Sequence, residues 1–109
     1  MSHEKYQDCI EACYKCATEC NHCATACLNE EDIKKLSKCI QLNYDCAAIC
    51  EFAATLMARG SQFSTQICKL CAQICRACGD ECSKHSAMEH CKKCAEECYR
   101  CAEECEKMA

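Results

Sequence analysis

The stretch CIEACYKCATECNHCATAC, residues 9–27, places a cysteine at every fourth or third position. Cys9, Cys13, Cys16, Cys20, Cys23 and Cys27 follow steps of 4, 3, 4, 3 and 4. That alternation is the a/d seam of a heptad, so the six side chains fall on one stripe of a helix. The residues between them are mostly charged, polar or small, as suits a solvated outer face. The stretch therefore predicts a helix whose buried stripe is sulfur where another protein would place leucine.

Three further stretches repeat the pattern. CKLCAQICRACGDEC, residues 68–82, carries Cys68, Cys71, Cys75, Cys78 and Cys82, and HCKKCAEECYRCAEEC, residues 90–105, carries Cys91, Cys94, Cys98, Cys101 and Cys105. CIQLNYDCAAIC, residues 39–50, is sparser, with Cys39, Cys46 and Cys50. In its register Asn43 takes the seam position between Cys39 and Cys46, and Ala53 and Met57 follow Cys50. His85 takes the seam position after Cys82, and Tyr6 falls on the seam at the start of the first ladder.

Turn signals divide these stretches. Asn29-Glu30-Glu31-Asp32 reads as an N-cap followed by first-turn acids. Arg59-Gly60-Ser61 offers a C′ glycine and a new N-cap. Ser86-Ala87-Met88-Glu89 fits a capping box. The predicted helices cover 3–28, 31–59, 62–84 and 87–108, with Gly79 inside the third. Proline is absent and Gly60 and Gly79 are the two glycines. Short loops between long helices predict an all-α fold, an up-down-up-down antiparallel four-helix bundle with a cysteine-lined core, as a single domain over residues 1–109. Ile10, Leu28, Ile33, Leu36, Ile40, Leu42, Ile49, Leu56, Ile67, Leu70 and Ile74 add apolar surface, so the metal-free chain is expected to be helical already.

Cysteine makes up 19 of the 109 residues, a level reached by disulfide scaffolds of secreted proteins and by metal-thiolate proteins. The count is odd, and the N-terminal MSHEKYQDC has no apolar core of a secretory signal. No stretch is apolar enough to span a membrane. Reduced thiols and a cytosolic location are the expectation. The net charge is -4 with no basic stripe, which argues against nucleic acid as a partner. Glu11 with Lys15, and Arg100 with Glu104, are i,i+4 pairs of the kind found on exposed helix faces.

Sixteen thiols on three regular ladders exceed what packing requires, because leucine would bury more area. Disulfides along a helix fit poorly: i,i+4 Cβ atoms lie ~5–6 Å apart, and a disulfide wants ~3.5–4.5 Å. A metal bridges the larger gap. Soft thiolates select Cu(I), zinc or iron–sulfur clusters. Structural zinc asks for four ligands in a tetrahedron, whereas a ladder offers two at a time, with neighbouring helices adding a third. That suits two- or three-coordinate Cu(I), and one copper per bridging thiolate neutralises a buried core. The alternative is a zinc or mixed-metal thiolate buffer resembling a metallothionein, whose sequence would lack helical periodicity and caps. A thiol-redox protein is the other rival, but Cys13-x2-Cys16 has no βαβ context. Cys9-x3-Cys13-x2-Cys16 matches an iron–sulfur triad only as a by-product of the heptad, and the ferredoxin run does not occur. No base and nucleophile pair stands out, so no catalysis is expected.

Taken together the four stretches resemble the bacterial copper storage protein family, over essentially the whole chain. The resemblance implies a bundle whose core cysteines bind multiple Cu(I) ions, a homotetramer, membership of the cytosolic branch, and delivery by a copper chaperone as one possibility. It also implies His, Met or Asn ligands near one mouth. On that implication His85, His90 and Asn43 join the nineteen cysteines as candidate ligands, His90 through its pairing with Cys91 although it lies beside the seam. Read from the residues alone, His85 and His90 are equally surface histidines at a helix junction, and Asn43 a polar seam residue that fixes register. His3 and His22 lie off the seam and read as exposed. Met57, with Phe52, Leu56 and Phe63, reads as an apolar plug at the opposite end. Copper is then expected to pass through the histidine end.

Overall fold

A computed structural model describes residues 5–108; His3 lies outside them. Four helices form a rod of 48 × 17 × 17 Å: α1 (Gln7–Leu28), α2 (Ser37–Ala58), α3 (Ser64–Ser83) and α4 (Glu89–Met108). Each helix packs on the next, and α1 also packs on α4, closing a square of neighbours. The direction of packing is antiparallel: Cys9 meets Cys105 at one end of the α1–α4 pair and Cys27 meets Cys91 at the other. This is the bundle the heptad spacing predicts.

The connections differ from the sequence reading in detail. Asn29 does not start the second helix. It ends the first, donating its side-chain amide to the Thr25 carbonyl, and the chain then makes a 3₁₀ turn, Ile33–Leu36, before α2 begins. Gly60 closes α2 as expected. It sits at φ 65°, where its N–H reaches the Met57 carbonyl and the Ser61 N–H reaches that of Leu56, the paired bonds of a Schellman motif. Ser61 accepts from the Phe63 N–H through its hydroxyl, which tightens the turn ahead of α3. The capping box at Ser86 and Glu89 does not form. The start of α4 is held instead by backbone bonds from Cys91 and Lys92 to Met88.

The core is built from sulfur and small side chains. All nineteen cysteines are buried and free, flanked by Ala12, Ala17, Ala24, Ala47, Ala53, Ala54, Ala72, Ala95 and Ala102. Among the described residues, Leu36, Ile40 and Met57 are the larger apolar side chains that are buried. Ile10, Leu42, Ile49, Ile67 and Ile74 pack against the core from its flanks, while Leu28, Ile33 and Leu70 stay exposed. Alanine beside the seam lets the helices approach closely enough for thiols of about half the volume of leucine to meet across the axis. Gly79 serves a close approach of another kind: a Cβ there would stand 2.8 Å from the ring of Tyr99 on α4.

On the surface, the expected i,i+4 pairs give way to other partners. Glu11 accepts from Gln7, Lys15 faces Glu97 across α1 and α4, and Glu104 pairs with Lys107. A two-pronged Arg76–Glu106 pair ties α3 to α4. No described helix is long and apolar enough to cross a membrane.

Candidate metal centre

The heptad phase turns every ladder inward, and the antiparallel packing interleaves them into a single column of sulfur. Cys50 shows the density reached. Its Sγ lies 3.6 Å from Cys75, 3.7 Å from Cys101 and 3.8 Å from Cys71, so three helices converge on it. Cys16 stands 3.6 Å from Cys46 on α2 and 3.8 Å from Cys98 on α4. Contacts along one helix are of the same order: Cys16 to Cys20, Cys23 to Cys27 and Cys94 to Cys98 are each 3.9 Å.

Four-sulfur groups result, which a view along one ladder at a time does not anticipate. Cys13, Cys71, Cys101 and Cys105 form one; Cys16, Cys46, Cys50 and Cys75 another; Cys20, Cys78, Cys94 and Cys98 a third, each with its sulfurs within 4.8 Å of one another. The groups are not independent. Cys16 and Cys46 also belong with Cys20 and Cys98. Shared members suit thiolates that bridge two metals rather than separate closed tetrahedra.

Burial and neighbouring sulfurs govern the protons. Burial pushes the Cys27 thiol up to about 12. Deeper in the column neighbours move in opposite directions. Cys46 is drawn down by bonds from Cys16 and Cys20, and Cys50 is pushed up by its bonds with Cys101 and Cys13. A thiolate is stabilised by the S–H of its neighbour, which must then keep its proton, so neighbouring thiols titrate together rather than singly.

Asn43 is fully buried towards the histidine end of this column. Its Oδ1 accepts from Cys78 at 3.1 Å, Cys94 at 3.3 Å and Cys82 at 3.5 Å, and its Nδ2 faces Cys39 at 3.8 Å. Every polar atom of the amide therefore has sulfur beside it, and Cys39 meets Cys82 at 3.3 Å on its far side.

The two candidate histidines part company. His90 reaches inward, although it lies beside the seam: its Nδ1 is 3.4 Å from Cys23, 3.5 Å from Cys91 and 4.0 Å from Cys27. These four residues form a group of possible metal ligands. The other ring nitrogen, Nε2, lies 3.0 Å from Glu30 Oε2. Burial pulls the imidazole pKa down, but the bonds to Cys23 and Glu30 outweigh it and the net shift is upward. His85 turns away from the sulfurs and pairs with Glu81 at 3.2 Å. That carboxylate is itself buried and gathers Lys84 and Lys38 as well. His22 is exposed, as expected.

The apolar plug expected at the opposite end forms only in part. Phe52 and Phe63 are more than half exposed, and with Leu56, Ile67 and Leu70 they line a shallow apolar groove on the outside of α2 and α3. Met57 alone of that set enters the core, where its Sδ receives the Cys68 thiol at 3.5 Å. Tyr6 packs partly buried against the same core.

Sequence reasoning missed Glu30 and Glu81. Both act on histidines, yet neither carries a periodic signal, and Glu30 is sixty residues from its partner.

Residues 2–109 match the family described as copper storage protein, and the chain belongs to that family. The fold is similar to the Cu(I)-bound copper storage protein BsCsp3, with a TM-score of 0.90 at 50% identity over 94% of this chain and 96% of that one. It is similar to apo copper storage protein 3 from Bacillus subtilis at a TM-score of 0.89 and 50% identity, over 94% and 97% of the two chains. A cytosolic copper storage protein from Streptomyces lividans, with five coppers, matches at a TM-score of 0.93 and 39% identity, over 98% and 93%. No curated protein sequence matches the chain.

Proposed function

We propose that this chain stores Cu(I), holding multiple ions as thiolates within the bundle for storage or detoxification. The observation that carries the reading is the sulfur column: nineteen reduced, buried cysteines, with neighbours 3.3–4.0 Å apart along the axis. Cu(I) is cargo here, and the binding step is coordination. Each thiol gives its proton to water, the sulfur donates a lone pair, and one copper per bridging thiolate leaves the core neutral. The ligands are Cys9, Cys13, Cys16, Cys20, Cys23, Cys27, Cys39, Cys46, Cys50, Cys68, Cys71, Cys75, Cys78, Cys82, Cys91, Cys94, Cys98, Cys101 and Cys105. His90 and Asn43 serve the histidine end of the column.

The role needs no catalysis. The chain acts as one domain in the cytoplasm. The similar Streptomyces lividans protein, described as cytosolic, supports the placement in the cytoplasm. We further propose a homotetramer fed at the histidine end, with a copper chaperone as donor. Family membership supports the assembly. Anaerobic titration of the reduced chain with Cu(I), followed by metal analysis, tests the reading. Uptake of several coppers per chain supports it, and retention of zinc in their place overturns it.

A further inference from the structure

At the end of the core away from the histidines the sulfur set changes character. α2 runs out of cysteine after Cys50, and its next seam positions are Ala53 and Met57. Met57 is fully buried, and its Sδ lies 3.5 Å from Cys68 Sγ, with the thiol donating into the thioether lone pair. Cys9 and Cys105, which lie at the same end of the antiparallel bundle, face each other at 3.6 Å. One turn before Cys68 stands Ser64. It is 1% exposed, and its hydroxyl is the one buried side-chain oxygen among the described residues without a hydrogen-bond partner.

We infer that Met57 Sδ and Cys68 Sγ, with the Cys9 and Cys105 thiols at the same end of the bundle, form a mixed thioether–thiolate Cu(I) site that ends the column. The inference rests on the copper-storage reading and assigns to Met57 the role that a fourth cysteine ladder would otherwise fill. A core filler has no need to direct its sulfur at a thiol, and leucine would fill the same volume. Thioether is a soft ligand suited to Cu(I). Metal–sulfur bonds of ~2.3 Å at trigonal angles put two sulfurs ~4 Å apart, so the pair needs to open by only about half an ångström.

A thiol sulfur is a poor hydrogen-bond acceptor and a thiolate a good one, and Ser64, one turn before Cys68, holds a buried hydroxyl without a partner. Copper binding removes the Cys68 proton to water. No electron moves, and copper enters and stays as Cu(I).

The test uses the full chain grown with selenomethionine, reduced, loaded anaerobically with Cu(I) and examined by X-ray absorption at the selenium edge. The expected result is a copper neighbour at bonding distance from selenium, lost in Met57→Leu. That variant should still load its other thiolates and hold roughly one copper fewer per chain. A loaded native chain without a selenium–copper neighbour overturns the inference, as does one whose signal survives Met57→Leu. A native chain that takes up no copper overturns the storage reading as well, so the two failures are distinguishable.

Discussion

Replacing Glu30 by Ala removes the carboxylate that faces His90 Nε2 at 3.0 Å. That acceptor keeps the imidazole proton on Nε2 and leaves the Nδ1 lone pair directed at Cys23, Cys91 and Cys27. Without it the neutral ring can carry its proton on Nδ1, facing the sulfurs, and a copper must first displace it. Carboxylate partners of metal-bound histidines contribute roughly 10–100-fold to affinity. The Glu30 side chain is 39% exposed, so solvent screening favours the lower limit. The expected loss is about tenfold, or about 1.4 kcal/mol. Competition against a chromophoric Cu(I) chelator measures it, with the ¹⁵N signals of His90 showing both its tautomer and the copper beside it. Glu30→Gln keeps a carbonyl acceptor and should recover most of the loss. In a His90→Ala background Glu30→Ala should have no further effect. If Glu30→Ala holds this copper as tightly as the native chain, or weakens binding equally when His90 is absent, the reasoning is wrong.

Other consequences concern capacity and stability. Serine at Cys68, Cys71, Cys75, Cys78 and Cys82 together should remove several coppers while the α1 and α4 ladders still bind, as metal analysis would show; loss of all binding would mean one cooperative cluster. Gly79→Ala should destabilise the native chain by roughly 1 kcal/mol, because its Cβ meets the Tyr99 ring at 2.8 Å. In a Tyr99→Ala background it should stabilise by a similar amount through helix propensity, read from denaturant melts. Burial raises the Glu81 carboxyl pKa, but bonds from His85 and Lys84 and the charge of Lys38 outweigh it, so the net shift from 4.5 is downward. A depressed folded pKa means stability present above the ordinary carboxylate value and lost as pH falls through the folded one. Thermal melts of the metal-free chain should therefore drop across that acidic window, and Glu81→Gln should flatten the drop.

The bundle was legible because the cysteines are both the core and the pattern. A residue type that marks one face of four helices fixes their phase, their number and their inward direction together. Gly60 was legible for a similar reason, since a glycine between two periodic segments has one common use. Residue type misled at Phe52, which stands two positions past Cys50 and so faces away from the seam. Its aromatic ring suggested a plug, but its phase put it outside. Asn29 misled because the same side chain can close one helix or open the next. His90 was placed beside the seam by its phase, yet it lies in the first turn of α4, where a long side chain can lean over the end of the column. Contacts such as Glu30 with His90, or Met57 with Cys68, join residues far apart in the chain, and no local spacing encodes them.

The central claim is that the column takes Cu(I), in quantity, as thiolate. The most direct measurement is an anaerobic titration of the reduced, metal-free chain with Cu(I) in the presence of equimolar zinc. Bound metal is then counted against thiol content, and circular dichroism is recorded throughout. The account predicts a chain already helical without metal, zinc excluded, and copper uptake rising towards one ion per thiolate across the nineteen cysteines. A random coil before metal, saturation at one or two coppers, or zinc held against Cu(I) would contradict it.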